Sequence, residues 1–232
     1  MLWQEDEDFV TPSTTTQTVV DIAFNIQCRM LPVDHAWALS QAIQHALPWF
    51  NEEPQAGLHL IYVTEEGNGW YRPDEKDSLI YLSRRTKLML RIPEHRTKDT
   101  QMLTERTLDI GSYALKVGKS TIKALHPSPV LFARHVLSQV DVSEEAFLSQ
   151  AIAELANINV QCRKALCGKN RYFSTPQGEL LTRSLMIADL LPQESMSLQQ
   201  YGLGDAKHMG CGLFVPHKDI KAVSAKTSST ME

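Results

Sequence analysis

Hydrophobic and polar residues alternate most regularly between residues 18 and 30. Over six repeats every second residue is apolar, namely Val20, Ile22, Phe24, Ile26, Cys28 and Met30. A period of two predicts a β-strand with one buried face. After Pro32 the apolar positions change to helical spacing and keep it as far as Pro48, which predicts a helix with Asp34 as its N-cap.

The rest of the first half predicts three more strands and a second helix. Two apolar runs, LHLIYV and LIYLSRRTKLMLRI, are interpreted as the second and third strands, and TLDIGSYALKV as the fourth. The polar segment 94–106 is a weaker helix candidate. The element order is therefore β-α-β-β-α-β, and the turn residues HPSP at 126–129 end this half.

The second half repeats this order without repeating the residues. A strand at 130–140 precedes a helix with Ser143 as N-cap, and two long strands then flank the turn at 175–178. A short amphipathic segment, PQESMSLQQY, precedes a glycine-rich loop and the last strand, GLFVPH. The pattern predicts an α+β fold of two tandem ferredoxin-like (RRM-like) units. These span residues 18–126 and 127–220, between flexible ends at 1–17 and 221–232.

The composition and the cysteines predict a cytoplasmic protein. No apolar run approaches the length of a membrane span, and the start MLWQEDEDFV is acidic where a secretion signal would be basic and then apolar. Four scattered cysteines in 232 residues are expected to be reduced thiols rather than a disulfide scaffold. The cysteines lack the spacing of a metal site, and adjacent acids in turns, such as Glu52-Glu53 and Glu65-Glu66, more often face solvent. We therefore expect no metal and no other cofactor.

The net charge of −4 does not describe the folded part of the chain. The four acidic residues at positions 5–8 account for the whole excess, so residues 9–232 sum to zero. Basic residues concentrate in two clusters, at 84–98 and 162–183, that could hold RNA or DNA phosphates. Solvated strand faces would show the same pattern.

The glycine-rich loop at 202–212, GLGDAKHMGCG, is the most specific motif. Two Gly-apolar-Gly triplets supply Gly202, Gly204, Gly210 and Gly212. Without a Cβ these residues can adopt positive φ and bring backbone N–H groups against a phosphate. A plain connection between a helix and an edge strand would also use glycines. The motif is not a Walker loop, because no Gly-Lys-Ser/Thr ends it and it leads into a strand.

Together with the tandem element order, this loop gives a resemblance to the repeat-RNA endoribonucleases of type I CRISPR systems, in the RAMP superfamily. Four stretches resemble the MYXAN-type branch: LPVDHAWALSQAIQHALPW, LSRRTKLMLRIP, LLTRSLMIADLLPQES and YGLGDAKHMGCGLFVPHK. The resemblance covers residues 18–220. It implies a cytoplasmic, metal-independent enzyme that binds the repeat stem-loop of CRISPR precursor RNA, cuts on its 3′ side and often stays bound to the product.

His35, at the predicted start of the first helix, is the candidate catalytic residue. Helical spacing places it within half a turn of Leu39, at the border of the core-facing side. The positive end of the helix dipole favours the neutral imidazole that a general base requires. From the residues alone, the alternative is a histidine that satisfies a backbone carbonyl at a helix start. In the family, the histidine at this place is the usual catalytic one.

The expected reaction is attack of the 2′-hydroxyl on the scissile phosphate, which gives a 2′,3′-cyclic phosphate and a 5′-hydroxyl. Family members differ in their helper residues, and the candidates here are Tyr201, Lys207 and His208. Arg84 and Arg85, read as strand neighbours, would face opposite sides, so that only one meets RNA. The expected RNA-binding residues are Arg84, Arg85, Arg163, Lys164, Lys169, Arg171, Arg183, Lys207 and the four loop glycines.

A second hypothesis is a non-catalytic RNA-binding subunit of a CRISPR effector complex, because other proteins of those assemblies share ferredoxin-like units and glycine-rich loops. The acidic pI is low for a stem-loop binder. It leaves room for other subunits of a type I effector complex to complete the RNA-binding groove. The histidine at the helix start favours the enzyme.

Overall fold

The computed structural model describes residues 18–65, 69–71, 78–140 and 142–217. The ends that the sequence predicts to be flexible, residues 1–17 and 221–232, lie outside the described residues. The fold is mixed α+β, and the strand pairs in the described ranges are antiparallel.

The described residues form thirteen strands and four helices. The strands are β1 (Val19–Gln27), β2 (Met30–Pro32), β3 (Gly57–His59), β4 (Val63–Glu65), β5 (Gly69–Tyr71), β6 (Leu79–Tyr81), β7 (Lys87–Pro93), β8 (Thr107–Ile110), β9 (Tyr113–Ala124), β10 (Val130–Leu137), β11 (Lys164–Thr175), β12 (Gly178–Ala188) and β13 (Val215–Pro216). The helices are α1 (Ala36–Ala46), α2 (Thr97–Gln101), α3 (Glu144–Asn157) and α4 (Pro192–Tyr201).

The first half forms a five-stranded sheet in the order β3-β7-β1-β9-β8. The strand predicted from the alternation is β1, but it ends at Gln27, and Met30 starts β2, which pairs with β6. One face of β1 packs Ile22 and Phe24 into the core as predicted. The prediction of a single buried face is wrong, because Asp21 on the opposite face is also buried.

Two apolar runs that were interpreted as single strands are each divided. TLDIGSYALKV forms β8 and β9, which reverse direction at Gly111, where φ is +62°. The run at 79–92 forms β6 and β7 with a turn between them. The spacing of apolar residues gives no sign of a turn at which the chain reverses, so periodicity alone does not predict these two turns.

The second half forms a four-stranded sheet in the order β11-β12-β10-β13. The predicted N-cap of α3 is confirmed, since the Ser143 side chain accepts from the Ala146 N–H at 3.2 Å. The predicted short helix before the glycine-rich loop is α4. None of the described helices has the length and apolar character needed to cross a bilayer.

Each sheet has its own hydrophobic core, but the glycine-rich loop contributes to both. Met209 and Cys211 pack into the core of the first half, whereas Leu203 and Phe214 pack into the core of the second. Phe173 of β11 also belongs to the first core. The boundary at 126/127 stays a prediction, and the packing described here crosses it.

Candidate functional site

Arg91 on β7 joins the two halves of the chain and is only 1% exposed. Its Nε and Nη2 atoms donate to the two carboxylate oxygens of Asp21 at 2.9 and 3.0 Å. Its Nη1 donates to the backbone oxygens of Gln199 and Phe214 at 2.9 and 2.7 Å. Burial raises the pKa of Asp21, but His59 and Arg91 together outweigh this and hold it well below its usual range. Arg91 therefore ties the halves together and is not an RNA contact.

The far end of the β11–β12 hairpin packs against the start of α1. The Ser174 N–H donates to Asp34 Oδ2 at 2.9 Å, and Phe173 is fully buried beside it in the first core. The prediction that Asp34 caps α1 is wrong, because the N-cap position is His35, which makes no side-chain cap bond. Asp34 instead fixes the hairpin relative to α1.

A cavity of about 530 Å³ lies where the two halves meet, beside the glycine-rich loop. Its lining includes three cationic side chains and three Tyr or Phe rings. The cations are Arg85, Lys87 and Arg134, and the rings are Tyr62, Tyr81 and Phe132. Proteins that bind single-stranded nucleic acid combine cations for the phosphates with rings on which bases stack. The cavity is therefore the candidate RNA-binding site that the geometry favours.

Arg134 on β10 lines this cavity, and it is not among the residues predicted from the sequence. Its guanidinium carbon is 4.6 Å from the centroid of the Tyr62 ring and 5.7 Å from that of Phe132. Burial and, to a smaller extent, the neighbouring Arg171 lower the pKa of Arg134, while Tyr62 acts in the opposite direction. Arg134 lies outside both basic clusters of the sequence, so charge patterning could not have found it.

His35 is buried, at 3% exposed, and both of its ring nitrogens are hydrogen-bonded. The Ile61 N–H donates to Nε2 at 3.2 Å, so Nδ1 of the neutral ring carries the hydrogen and donates to the Pro32 oxygen at 2.8 Å. The structure thus shows the alternative that the sequence left open, a histidine that satisfies a backbone carbonyl. In this arrangement neither nitrogen of the ring is open to an RNA hydroxyl. The catalytic role of His35 stays a prediction.

A second imidazole, His135 on β10, lies behind the cavity wall and is 2% exposed. Its Nε2 is 2.7 Å from the Tyr62 hydroxyl, and its Nδ1 is 3.0 Å from the Thr182 hydroxyl. The Thr182 hydroxyl donates its own hydrogen to the Arg171 backbone oxygen at 3.2 Å, so it accepts from Nδ1. Nε2 of the neutral ring therefore accepts from Tyr62, and the hydrogen bonds run in one direction from the cavity inward.

All four loop glycines have positive φ, between +64° and +85°, as the sequence predicts. A Cβ on Gly212 would collide with the Leu203 backbone oxygen, and one on Gly202 with the Gly212 oxygen, whereas Gly204 has open space. The N–H groups of Gly202, Gly210 and Gly212 donate to protein carbonyls. These three amides serve the fold, which leaves Gly204 as the loop glycine best suited to meet a phosphate.

The three predicted helpers lie in or next to the same loop, and its 207–209 turn packs against α1. The Lys207 ammonium donates to the Tyr201 backbone oxygen at 2.7 Å, at the C-terminal end of α4. Burial lowers the pKa of Lys207 and that of His208, which is half-buried. Tyr201 is exposed. Lys207 thus binds a backbone carbonyl at the C-terminal end of α4. The helper roles of all three residues stay predictions.

Arg84 and Arg85 lie in the turn between β6 and β7, not side by side in a strand. The prediction that they face opposite sides of a sheet is wrong, because a turn does not alternate its side chains. Both residues are exposed, and Arg85 lines the cavity. The first basic cluster thus contributes to the cavity through this turn and through Lys87.

Three cations of the second cluster are bound to other parts of the protein. Arg163 makes a bidentate ion pair with Glu194, at 2.6 and 3.2 Å, and Lys164 pairs with Asp189 at 2.8 Å. Arg183 donates to the Val142 backbone oxygen at 2.7 Å. Their RNA contacts stay predictions, and all three side chains already bind other groups of the protein.

Lys169 and Arg171 are the two cations of β11 with exposed side chains and no acidic partner in the described residues. Arg171 lies opposite Thr182 in the hairpin and next to Arg134. The two arginines therefore extend the positive wall of the cavity onto the hairpin. Of the second cluster, these are the residues best placed to hold RNA.

The four cysteines are unpaired thiols. Burial raises the pKa of Cys211 to about 12 and also raises the pKa of Cys162 and Cys167. Such thiols stay protonated and act as core residues. Within the ranges that the structure describes, no group of three His, Cys, Asp or Glu side chains is arranged to hold a metal ion.

Comparison with known proteins gives a family. The family model described as Cas6 Crispr matches residues 20–219. The CRISPR-associated endonuclease Cas6 of Myxococcus xanthus (strain DK1622) is 30% identical over 197 residues, which are 85% of this chain and 81% of that protein. This relative confirms the resemblance to the MYXAN-type branch that the sequence motifs indicate.

Solved structures show the same fold at low sequence identity. A CRISPR associated protein Cas6 has a TM-score of 0.58 at 11% identity and covers 86% of this chain and 100% of its own. A RAMP protein described as binding different RNA substrates also has a TM-score of 0.58, at 13% identity, over 84% of this chain and 98% of its own. Since the family model spans nearly all the described residues, the chain belongs to the Cas6 family of CRISPR proteins.

Proposed function

We propose that this protein is a metal-independent endoribonuclease that binds the repeat stem-loop of CRISPR precursor RNA and cleaves it to give a 2′,3′-cyclic phosphate and a 5′-hydroxyl. The observation that carries the proposal is the cavity beside the glycine-rich loop, where Arg85, Lys87 and Arg134 accompany three Tyr or Phe rings. The family relative with the name of an endonuclease supports the same activity.

The reaction needs three contributions from the protein. One group removes the proton of the 2′-hydroxyl, the phosphate is held so that this oxygen attacks in line, and the charge that develops on phosphorus is stabilised. Arg134 and Arg171 are suited to the third task, because Arg134 lines the cavity and Arg171 lies close to it. The ribose supplies the nucleophile, so the proposed reaction needs no metal-bound water.

We further propose that the two sheets are tandem ferredoxin-like units. The first half without β8 has the order β3-β7-β1-β9, and the second has β11-β12-β10-β13. In each case the spatial order is second, third, first and fourth strand, with helices after the first and third strands. This agreement between the halves supports the tandem arrangement.

The exposed cations of the hairpin, Lys169 and Arg171, are proposed to hold the stem through its phosphates, and the cavity to hold an unpaired nucleotide next to it. A-form RNA is bound mainly through phosphates and 2′-hydroxyls, which suits this arrangement. The mature guide RNA is proposed to be released or retained, and retention would allow other effector subunits to bind.

The test is cleavage of the protein's own repeat RNA in excess chelator, with identification of the fragment ends. Wild type should cleave, and a 2′-deoxy sugar before the scissile phosphate should block the reaction, because it removes the nucleophile. His35→Ala should lose most activity, since two backbone groups lose their partner. His45→Ala, which changes an exposed histidine of the same helix, is the matched control.

Three results would overturn the proposal. Cleavage that disappears in chelator, or cleavage of the 2′-deoxy RNA, would exclude the reaction described. Binding of the repeat RNA without cleavage would identify the non-catalytic RNA-binding subunit instead. The burial of His35 is the observation that favours that second function.

A further inference from the structure

Tyr62 is a side chain of the cavity wall with a direct connection to a buried imidazole. It is half-buried, lines the cavity, and its hydroxyl lies 2.7 Å from His135 Nε2. The planes of the Tyr62 and His135 rings are nearly parallel, at 11°, and Phe173 packs against His135 with ring centroids 4.6 Å apart. A hydroxyl that donates to an imidazole is the arrangement by which proteins activate an oxygen toward proton transfer.

We propose that Tyr62 and His135 form the proton-accepting pair of the ribonuclease reaction, and that His35 is a positioning residue that acts through Ile61. The inference rests on the proposed function and names the residues that carry out its first step. In this proposal Tyr62, which lines the cavity, contacts the RNA, and His35 does not.

The direction of the hydrogen bonds determines how the proton moves. The 2′-hydroxyl gives its proton to the Tyr62 oxygen as Tyr62 passes its own to His135 Nε2. The bond from the 2′-oxygen to phosphorus forms, the bond from phosphorus to the 5′-oxygen breaks, and the 5′-oxygen takes a proton from water. His135 later releases its extra proton to solvent, which restores the starting state.

The groups around His135 come from four elements. The Tyr62 phenol follows β3, the Thr182 hydroxyl is on β12, the Phe173 ring is on β11, and the neighbouring Arg134 is on β10 with the second cation, Arg171, on β11. The hydrogen bond from Nδ1 to Thr182 holds the tautomer in which Nε2 is free of hydrogen. Arg134 over the Tyr62 ring favours negative charge on the phenol oxygen while the proton moves.

His35 fixes the backbone directly before Tyr62. Its Nε2 accepts the Ile61 N–H, and its Nδ1 holds the Pro32 oxygen, so the ring fixes the segment after β3 to the start of α1. Replacing His35 leaves a buried N–H and a buried carbonyl without partners. Loss of activity in His35→Ala therefore follows from either role, and that variant alone cannot assign the base.

The decisive experiment measures single-turnover cleavage in chelator, with enzyme in excess over the repeat RNA, across about pH 5 to 8, where imidazoles titrate. Tyr62→Phe should lower the cleavage rate by about 100-fold or more, with RNA affinity within about threefold of wild type. Tyr113→Phe removes the same atom from a half-buried tyrosine of β9 and should cleave at the wild-type rate.

The pH profile separates the two histidines. In wild type the cleavage rate should rise about tenfold per pH unit at the acidic end, because the accepting imidazole must be neutral. His35→Ala should keep that slope at a lower rate, and His135→Gln, which retains hydrogen-bonding capacity but does not titrate, should lose it. Thermal unfolding checks that each variant is folded. If His135→Gln does not fold, the cleavage rate of Tyr62→Phe tests the pair by itself.

Three results overturn the pair. These results are cleavage by Tyr62→Phe within about threefold of the wild-type rate, loss of the pH slope in His35→Ala, and persistence of the pH slope in His135→Gln. In each of these cases wild type still cleaves, so the proposed function stands without this assignment. A wild-type protein that binds repeat RNA and does not cleave it overturns both.

Discussion

Replacement of Arg91 by methionine should destabilise the protein by about 3 to 5 kcal/mol, the usual cost of breaking a buried ion pair. The guanidinium makes four hydrogen bonds, two to Asp21 and two to backbone oxygens of the second half. Methionine fills much of the volume but leaves the Asp21 carboxylate buried with His59 as its remaining partner. Each orphaned carbonyl adds to the cost, although such contributions are not additive.

Urea unfolding followed by circular dichroism measures this change. With a slope of about 2 kcal/mol per molar urea, a loss of about 4 kcal/mol lowers the midpoint by about 2 M. Lys87→Met is the matched control, because Lys87 lies on the same strand and on the same face as Arg91 but is exposed. It should change stability by less than about 0.5 kcal/mol.

A double variant tests whether the two charges act as a pair. Asp21→Asn with Arg91→Met should be less destabilised than the sum of the two single changes, because the second change removes the charge that the first leaves unpaired. If Arg91→Met shifts the midpoint no more than Lys87→Met does, the role assigned to Arg91 between the halves is refuted.

Three further predictions concern the loop, the hairpin and the acid stability. Gly204→Ala should lower the free energy of unfolding by about 1 to 2 kcal/mol, because alanine is strained in the left-handed backbone conformation. Gly212→Ala should lower it clearly more, because its Cβ would also collide with backbone atoms. Thermal unfolding measures both changes, and equal losses of stability would contradict the packing described for Gly212. Lys169→Ala should weaken RNA binding and flatten its salt dependence in filter-binding titrations, while Arg163→Ala should leave both unchanged; the reverse order would exclude the hairpin site. Arg163 first, then backbone bonding, lowers the pKa of Glu194 from 4.5 to about 2, so its contribution to stability is complete above about pH 4.5 and is lost between about pH 4.5 and 2. The difference in melting temperature between wild type and Glu194→Gln should shrink over that range, and a constant difference would refute the assignment.

Local patterns predicted the elements that depend on local interactions. The periods of two and of 3.6 residues located β1 and α1, and Ser143 was correctly assigned as a cap because its hydroxyl needs only the N–H three residues later. Asp34 was misassigned because its partner, Ser174, is 140 residues away in the sequence. A side chain with a distant partner gives no local signal.

The same limit applies to the candidate site. The glycines and the exposed hairpin cations were found from composition and spacing. Arg134, Tyr62 and His135 were missed, because each lies in an ordinary apolar strand or run and becomes notable only where the two halves meet. Arg91 shows a related limit, since it belongs to the first basic cluster of the sequence but is enclosed by the fold.

The insertion of Phe173 into the core of the first half has a consequence for dissecting the protein. A fragment that ends near residue 126 would lack this ring, as well as Met209 and Cys211, and would expose the apolar surface they cover. The complementary fragment would expose these same side chains to water. Neither of the two fragments should therefore be monomeric and well folded by itself. Coexpressed as two pieces cut at the connecting peptide, they should reassociate, since the missing side chains would be supplied in trans.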